Sequence, residues 1–217
     1  MRKALLIVSV AVFGLSFGGG EQAVSTFTDK RDGKVYRIVE IGGAVWMAEN
    51  LNFATKRSVW MAENLNSAAK GSVCYDNKAA NCAKYGRLYD WETALEACPA
   101  GFHLPSDVEW TALVDYAGGS ETAGTTLKSS TGWNSDEDIP TGTNEYGFSA
   151  LPGGFRDYNG RFNEAGEGGT WWEAAANCAS SALNIAMNYD YEGVYWEVYV
   201  IKGMFSVRCV QDKEGEQ

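Results

Sequence analysis

Histidine is nearly absent from this chain, with His103 the single example in 217 residues. Iron and zinc sites built on several imidazoles are therefore excluded, and a Ser–His–Asp arrangement has one candidate base. His103 precedes a helix cap, a position that suits a structural role. No CxxC pair occurs among the five cysteines, so the usual mark of a zinc or thiol–disulfide site is missing. Proline is scarce at four residues and no Pro/Ser-rich linker parts the chain, which favours one domain. Basic side chains are outnumbered 18 to 28 by acidic ones, a net charge of −10. Such a surface repels phosphate backbones and anionic lipid, so nucleic acid and membrane are not expected partners. Sugars, cations and basic protein patches remain open. Beyond the first seventeen residues no long apolar run appears, so no membrane insertion is expected.

What is present begins at the N-terminus. Met1-Arg2-Lys3 is basic, Ala4 to Phe17 is apolar, and Gly18-Gly19-Gly20 supplies small residues. This order describes a secretory signal over residues 1–20. The apolar stretch is shorter than the roughly 20 residues a spanning helix needs. No cysteine follows Leu15-Ser16, so a lipid anchor is not expected. Without Arg2 and Lys3, 16 basic side chains face 28 acidic ones, a net charge near −12. The expected organisation is disorder over 21–31, one domain over 32–212 and a disordered tail over 213–217, in a secreted or cell-surface protein.

In an exported chain, cysteines pair by default. Cys74 and Cys82 bracket the turn-forming stretch Tyr75 to Asn81, and a local bridge there is worth about 2.5 kcal/mol by loop entropy. A Cys98–Cys209 bridge would enclose most of the domain and contribute about 4.7 kcal/mol. Cys178 is left over, either buried or reactive. Val45-Trp46-Met47-Ala48-Glu49-Asn50-Leu51-Asn52 recurs unchanged at Val59 to Asn66. Two copies cannot build a solenoid, so one is expected to fill a native slot while the other loops out. Both copies acting as paired strands is the alternative.

Gly33 to Ile41 reads as a strand and Arg87 to Cys98 as a helix, with Leu88, Trp91, Leu95 and Cys98 on one face. Ser106 caps a second helix, with Glu109 completing a capping box and Gly118-Gly119 ending it. Its buried face would be Trp110, Leu113, Val114 and Ala117. Tyr158-Asn159-Gly160-Arg161 signals a hairpin with a two-residue turn. A second hairpin is expected from Val194–Ile201 and Met204–Val210 around Lys202-Gly203. These features give an α+β chain: two early helices, then twisted antiparallel strands with long loops.

Six ordered segments carry a resemblance: Trp46 to Asn52, Cys74 to Asp76, Tyr85 to Trp91, Cys98 to Trp110, Tyr146 to Arg156 and Phe205 to Val210. Together they resemble the Fibrobacter succinogenes major paralogous domain family, over roughly Asp32 to Asp212. The family comprises exported bacterial proteins of poorly defined function and carries one copy of the WMAENLN segment. Gly101 to Ser106 with Glu109-Trp110 is also similar to the G-x-R-L-P-T-E-x-E-W stretch of formylglycine-generating enzymes. That similarity implies a C-type-lectin-like fold, with a disulfide from the end of the first helix to the last strand.

Enzyme chemistry is poorly supplied. Formylglycine-generating enzymes use a late, closely spaced cysteine pair, whereas Cys178 and Cys209 lie far apart. Asp136/Asp138 and Glu164/Glu167 are carboxylate pairs of the kind any acidic chain offers. Asn188 to Gly193 imitates half of an EF-hand, but Tyr199 stands where its bidentate Glu belongs. The E-P-N or Q-P-D motif of calcium-dependent lectins is missing, and Trp133-Asn134 is followed by Ser135. A calcium site is retained only as an alternative for the Asp136–Asp138 loop, so no metal and no cofactor are expected.

Aromatic residues crowd the late half: Trp133, Tyr158, Trp171, Trp172, Tyr189, Tyr191, Tyr195 and Trp196. Flat rings stack on sugar faces while nearby polar groups orient the hydroxyls. On the last hairpin, alternation sets Trp196, Val198 and Val200 against Tyr195, Tyr199 and Ile201, and only one set can face a core. The expected ligand-binding residues are Trp133, Tyr158, Tyr189, Asp190, Tyr191 and Glu192, with Asn188 beside them. The expected function is a non-catalytic binding or adhesion module, its partner a polysaccharide or a cell-surface protein. A degenerate relative of formylglycine-generating enzymes and a purely structural surface protein are the alternatives.

Overall fold

The computed structural model describes residues 25–41, 58–140 and 142–212. The expected signal segment, the first WMAENLN copy and the 213–217 tail lie outside the described residues.

The mixed α+β expectation holds: among the described residues there are four α-helices, and thirteen strands form two sheets. The first sheet runs β1 (Ser25–Thr28), β2 (Val35–Ile41), β3 (Ser58–Met61), β13 (Val210–Gln211) and β6 (Phe102–His103). β1 pairs antiparallel with β2, so the segment expected to be disordered contributes an ordered strand instead. The second sheet runs β11 (Tyr195–Val200), β10 (Ser181–Asn188), β9 (Gly168–Cys178), β12 (Phe205–Ser206), β5 (Leu88–Tyr89) and β4 (Ser72–Val73). A side branch, β7 (Gly153–Arg156) with β8 (Phe162–Ala165), joins β9 through a parallel contact.

The second WMAENLN copy fills the slot. Trp60, Met61, Ala62, Asn64 and Leu65 are all buried, with Trp60 packed 4.9 Å from Trp110 and 5.8 Å from Phe148. Asn64 sits at the centre of this packing. Its Oδ1 accepts from the indole of Trp171 at 2.8 Å and from Arg208 at 2.8 Å, and its amide donates to Tyr85 O at 2.9 Å.

Helix α1 (Ala79–Tyr85) lies partly inside the loop that the Cys74–Cys82 bridge closes, where a turn was expected. α2 (Trp91–Ala97) is shorter than the expected Arg87–Cys98 helix. Asp90 caps it, accepting from Thr93 N at 2.8 Å, and Leu88 and Tyr89 are held as β5 by ladders to β4 and β12. α3 (Asp107–Tyr116) starts at Ser106 with the expected capping box, and Trp110, Leu113, Val114 and Ala117 are buried. α4 (Ala123–Leu127) follows. Two helices were expected and, among the described residues, four form: neither α1 nor α4 has a side-chain N-cap to announce it.

Two turn expectations are corrected. The β7–β8 connection is longer than a two-residue turn. Asp157 Oδ1 accepts from Asn159 N at 2.9 Å and Arg161 N at 2.8 Å, and the positive φ falls on Gly160 at +88°. Asp157 thus builds the loop, and only the glycine takes the left-handed position. The expected second hairpin does not form either. β11 pairs with β10, while Phe205-Ser206 crosses to lie between β9 and β5. Gly203 to Val210 is continuously buried, as a central segment must be, whereas β11 is an exposed edge. Disulfides join Cys74 to Cys82 and Cys98 to Cys209, with Cα separations of 4.9 and 5.9 Å.

Candidate functional site

Alternation along β11 turns Tyr195, Glu197 and Tyr199 to one face and Trp196, Val198 and Val200 to the other. The first face lines a cavity of about 330 Å³, within the usual range for ligand sites of about 300–1,000 Å³. Thr170 of β9 and Ala186 of β10 contribute to its lining, and they are partners in the β9–β10 ladder. Phe155, Tyr199 and Phe205 form a ring cluster, with centroids 5.1 to 6.0 Å apart. Tyr195 is stacked on Tyr191 at 4.5 Å with a 24° interplanar angle, and Tyr191 donates its hydroxyl to Glu121 Oε2 at 3.2 Å.

The polar members of the lining are Glu164, Glu197, Asn188 and Thr170. Glu164 occupies the left-handed region at φ +65°, which is costly for a residue with a Cβ and marks a position fixed by its surroundings. Burial pushes its carboxyl up, and the charges of Glu197, Glu167 and Asp190 push it further. Gly168 permits the close approach. A Cβ there would stand 2.6 Å from Glu164 Oε2 and 2.9 Å from Asn188 Oδ1.

The Tyr189–Glu192 loop borders the cavity and is fixed from behind by Lys128. This lysine is buried, and its ammonium donates to Asn188 O at 2.9 Å and Tyr191 O at 2.8 Å. Burial lowers its pKa, against the opposing pull of Asp190 and Glu192. Tyr189 and Glu192 are partly buried, and each is tied by a backbone bond to Glu167 or Thr125. Asp190 is exposed and acts on Glu164 by charge.

The remaining expected contacts lie elsewhere. Tyr158 is exposed at the tip of the β7–β8 loop. Trp133 packs against the core, donates its indole N–H to Ala150 O at 3.1 Å and lies under Lys128 at 5.5 Å. None of the expected contacts thus lines the cavity itself: Tyr191 adjoins it by stacking on Tyr195, and Trp133 meets the same loop only through Lys128. Phe155, Glu164, Glu197 and Phe205 were not anticipated. The β11 alternation was a usable signal for Glu197, whereas Phe155, Glu164 and Phe205 arrive from distant strands.

The residues weighed for catalysis are dispersed. His103 bridges Glu109 Oε1 at 3.0 Å and Asp212 Oδ1 at 2.8 Å, tying β6 and the cap of α3 to the end of β13. Hydrogen bonding to Glu109 raises its pKa, burial opposes this, and Asp212 adds to the rise. Cys178 is free and exposed at the β9–β10 turn, its thiol lowered to about 7 by hydrogen bonding to Ser181. Asp136 and Asp138 make a local turn, with Asp138 N donating to Asp136 Oδ1 at 2.9 Å. Among the described residues no group of three or more His, Cys, Asp or Glu side chains could hold a metal ion, and no helix is long and apolar enough to cross a membrane.

A family model, described as the Fibrobacter succinogenes major domain, matches residues 39–211. The chain belongs to that family. No curated protein and no solved structure matches it. The match spans β3 with its buried repeat copy, both disulfides and every strand that lines the cavity. Three of the six segments that carried the resemblance, Tyr85–Trp91, Tyr146–Arg156 and Phe205–Val210, meet the second repeat copy around Asn64 and Arg208. Trp60 to Leu65, Tyr85, Phe148-Ser149 and Arg208 all contribute to that buried network.

Proposed function

We propose that this domain is an exported, non-catalytic module that binds a neutral polysaccharide in the β7–β11 cavity. One observation carries the reading: the cavity sets Phe155, Tyr195 and Tyr199, backed by the buried ring of Phe205, together with Glu164, Glu197 and Asn188. Rings supply flat apolar area for the C–H faces of a sugar, and carboxylates and amides accept or donate to its hydroxyls. The lining holds two carboxylates and no cation, which favours an uncharged ligand over an acidic one. The long Cys98–Cys209 bridge, the capped α3 and the loop-rich late half support a C-type-lectin-like frame. The disulfides support an extracytoplasmic address.

Retention on a panel of insoluble polysaccharides tests the reading. The wild type should bind at least one glycan. Tyr199→Ala and Glu197→Ala should each weaken retention about tenfold, the effect of losing roughly 1.4 kcal/mol. Absence of retention on every glycan would overturn the sugar assignment. Release of reducing ends that stops in Glu164→Gln would overturn the non-catalytic part.

A further inference from the structure

A second cavity, of about 470 Å³, opens beside β2, the buried repeat copy and α1, and its charge is the reverse of the first. Its lining carries three cations, Lys34, Arg37 and Lys84, against the single carboxylate of Glu63, in a chain of net charge −10. Arg37 is matched by Glu63 at 2.7 Å, and Lys34 lies 3.4 Å from Asp32. Lys84 is exposed above the Tyr85 ring at 4.5 Å, and it forms no ion pair among the described residues.

A further cation stands behind this lining. Arg208 is fully buried, and the acceptors of its hydrogen bonds are all neutral: Asn64 Oδ1 at 2.8 Å and the carbonyls of Met61, Phe148 and Ser149. Asn64 and Ser149 are themselves lining residues, so the guanidinium sits one side chain from the cavity. A buried cation hydrogen-bonded only to neutral acceptors leaves a positive field in the nearest polar space, and the one carboxylate there that offsets it, Glu63, is itself shared with Arg37. Asn144 and Ser149 lie in the left-handed region at φ +52° and +54°. Asn144 Oδ1 accepts from Ser149 N at 2.7 Å and its amide donates to Ser149 Oγ at 2.9 Å, which fixes that wall. Ser130, Thr131 and Asn66 add neutral hydrogen-bonding groups suited to hydroxyls.

We infer that this second cavity is a binding site for a carboxylate-bearing sugar, its acid group directed at Lys84 and the field of Arg208. The inference is independent of the neutral-glycan reading, because the two cavities share no lining residue.

Calorimetry with tri-galacturonic acid, its methyl ester and acetate tests it on the full chain. The acid should bind, with affinity falling as salt rises. The ester should bind at least tenfold more weakly, since it keeps the sugar and loses the charge. Acetate should not compete at equal concentration. Lys84→Glu alters an exposed side chain, so it should fold normally and lose at least tenfold in affinity for the acid. Tyr199→Ala, in the other cavity, should bind the acid unchanged. The inference is overturned if the acid does not bind, if acid and ester bind alike, if acetate competes equally, or if Lys84→Glu has no effect. Loss of binding in Tyr199→Ala would also overturn it, by placing the acid in the first cavity.

Discussion

Glu173 and Glu109 are buried carboxyls driven in opposite directions. Glu173 is fully buried, and neither of its oxygens has a hydrogen-bond partner among the described residues. Burial, with the charge of Asp107 secondary, pushes its carboxyl up to about 7. Burial also opposes ionisation of Glu109, but hydrogen bonds from His103 and Ser106 outweigh it and bring that carboxyl down to about 2. The signs follow. Glu109 contributes stability above its ordinary pKa, and this is lost as pH falls towards 2. Glu173 is favourable in the fold only when protonated, so its contribution is complete below pH 4.5 and is lost as pH rises through 7. The gap between those two values corresponds to about 3 kcal/mol. Glu173→Gln should therefore raise the urea midpoint at pH 8 and leave it nearly unchanged at pH 4. An equal effect at both pH values would exclude ionisation as the cause. The capping role of Glu109 is legible from its spacing after Ser106, because it depends on three neighbouring residues. Nothing in Trp171-Trp172-Glu173 announces the burial of Glu173. Glu173 ends the continuously buried run Gly168–Glu173 of β9, where Trp91 of α2 covers the strand and donates its indole N–H to Glu173 O at 2.8 Å.

Elements divide in the same way. α3 is readable because its cap, apolar face and terminal glycines are all local. The start of α2 is not, since Leu88 fits the helical spacing of Trp91, Leu95 and Cys98 yet is claimed with Tyr89 by strands β4 and β12. β11 was readable as a strand with two unlike faces, but its partner was misassigned. Adjacency in sequence favours Met204–Val210, and only the burial demand of that segment sends it to the centre of the sheet. The candidate site inherits this limit: the rim loop lies within one hairpin, whereas the cavity is assembled from β7 to β12. Gly168 shows how an element serves the site. In Gly168→Ala the new methyl would meet the far ends of Glu164 and Asn188, which can swing aside at little cost to the fold. The expected result is a loss of glycan retention of about tenfold with a change in stability below about 1 kcal/mol. A large drop in thermal midpoint would show instead that the glycine serves the sheet.

At the scale of the molecule, the Cys98–Cys209 bridge ties the end of α2 to the segment entering β13 across 111 residues. Replacing both cysteines by serine should cost about 4–5 kcal/mol by loop entropy, read as a fall in urea midpoint, against about 2.5 for the Cys74–Cys82 pair. Equal losses would contradict a loop-length origin. The duplicated segment has a different kind of consequence. Ile41 pairs with Ser58, and Glu40, Val39 and Ile38 pair with Val59, Trp60 and Met61. Deleting residues 45–58 would place Ala44 opposite Ile41 and restore Val-Trp-Met to the same register. Gly42-Gly43 would then be the connection, a dipeptide suited to a two-residue hairpin turn. The sixteen residues between Ile41 and Ser58 would shrink to two, and loop-closure scaling favours the shortened fold by about 1–2 kcal/mol. The deletion protein should unfold at equal or higher urea concentration with its glycan retention intact. The duplication would then be a reversible insertion, one that a single in-frame recombination between identical copies removes without altering any pairing of the fold.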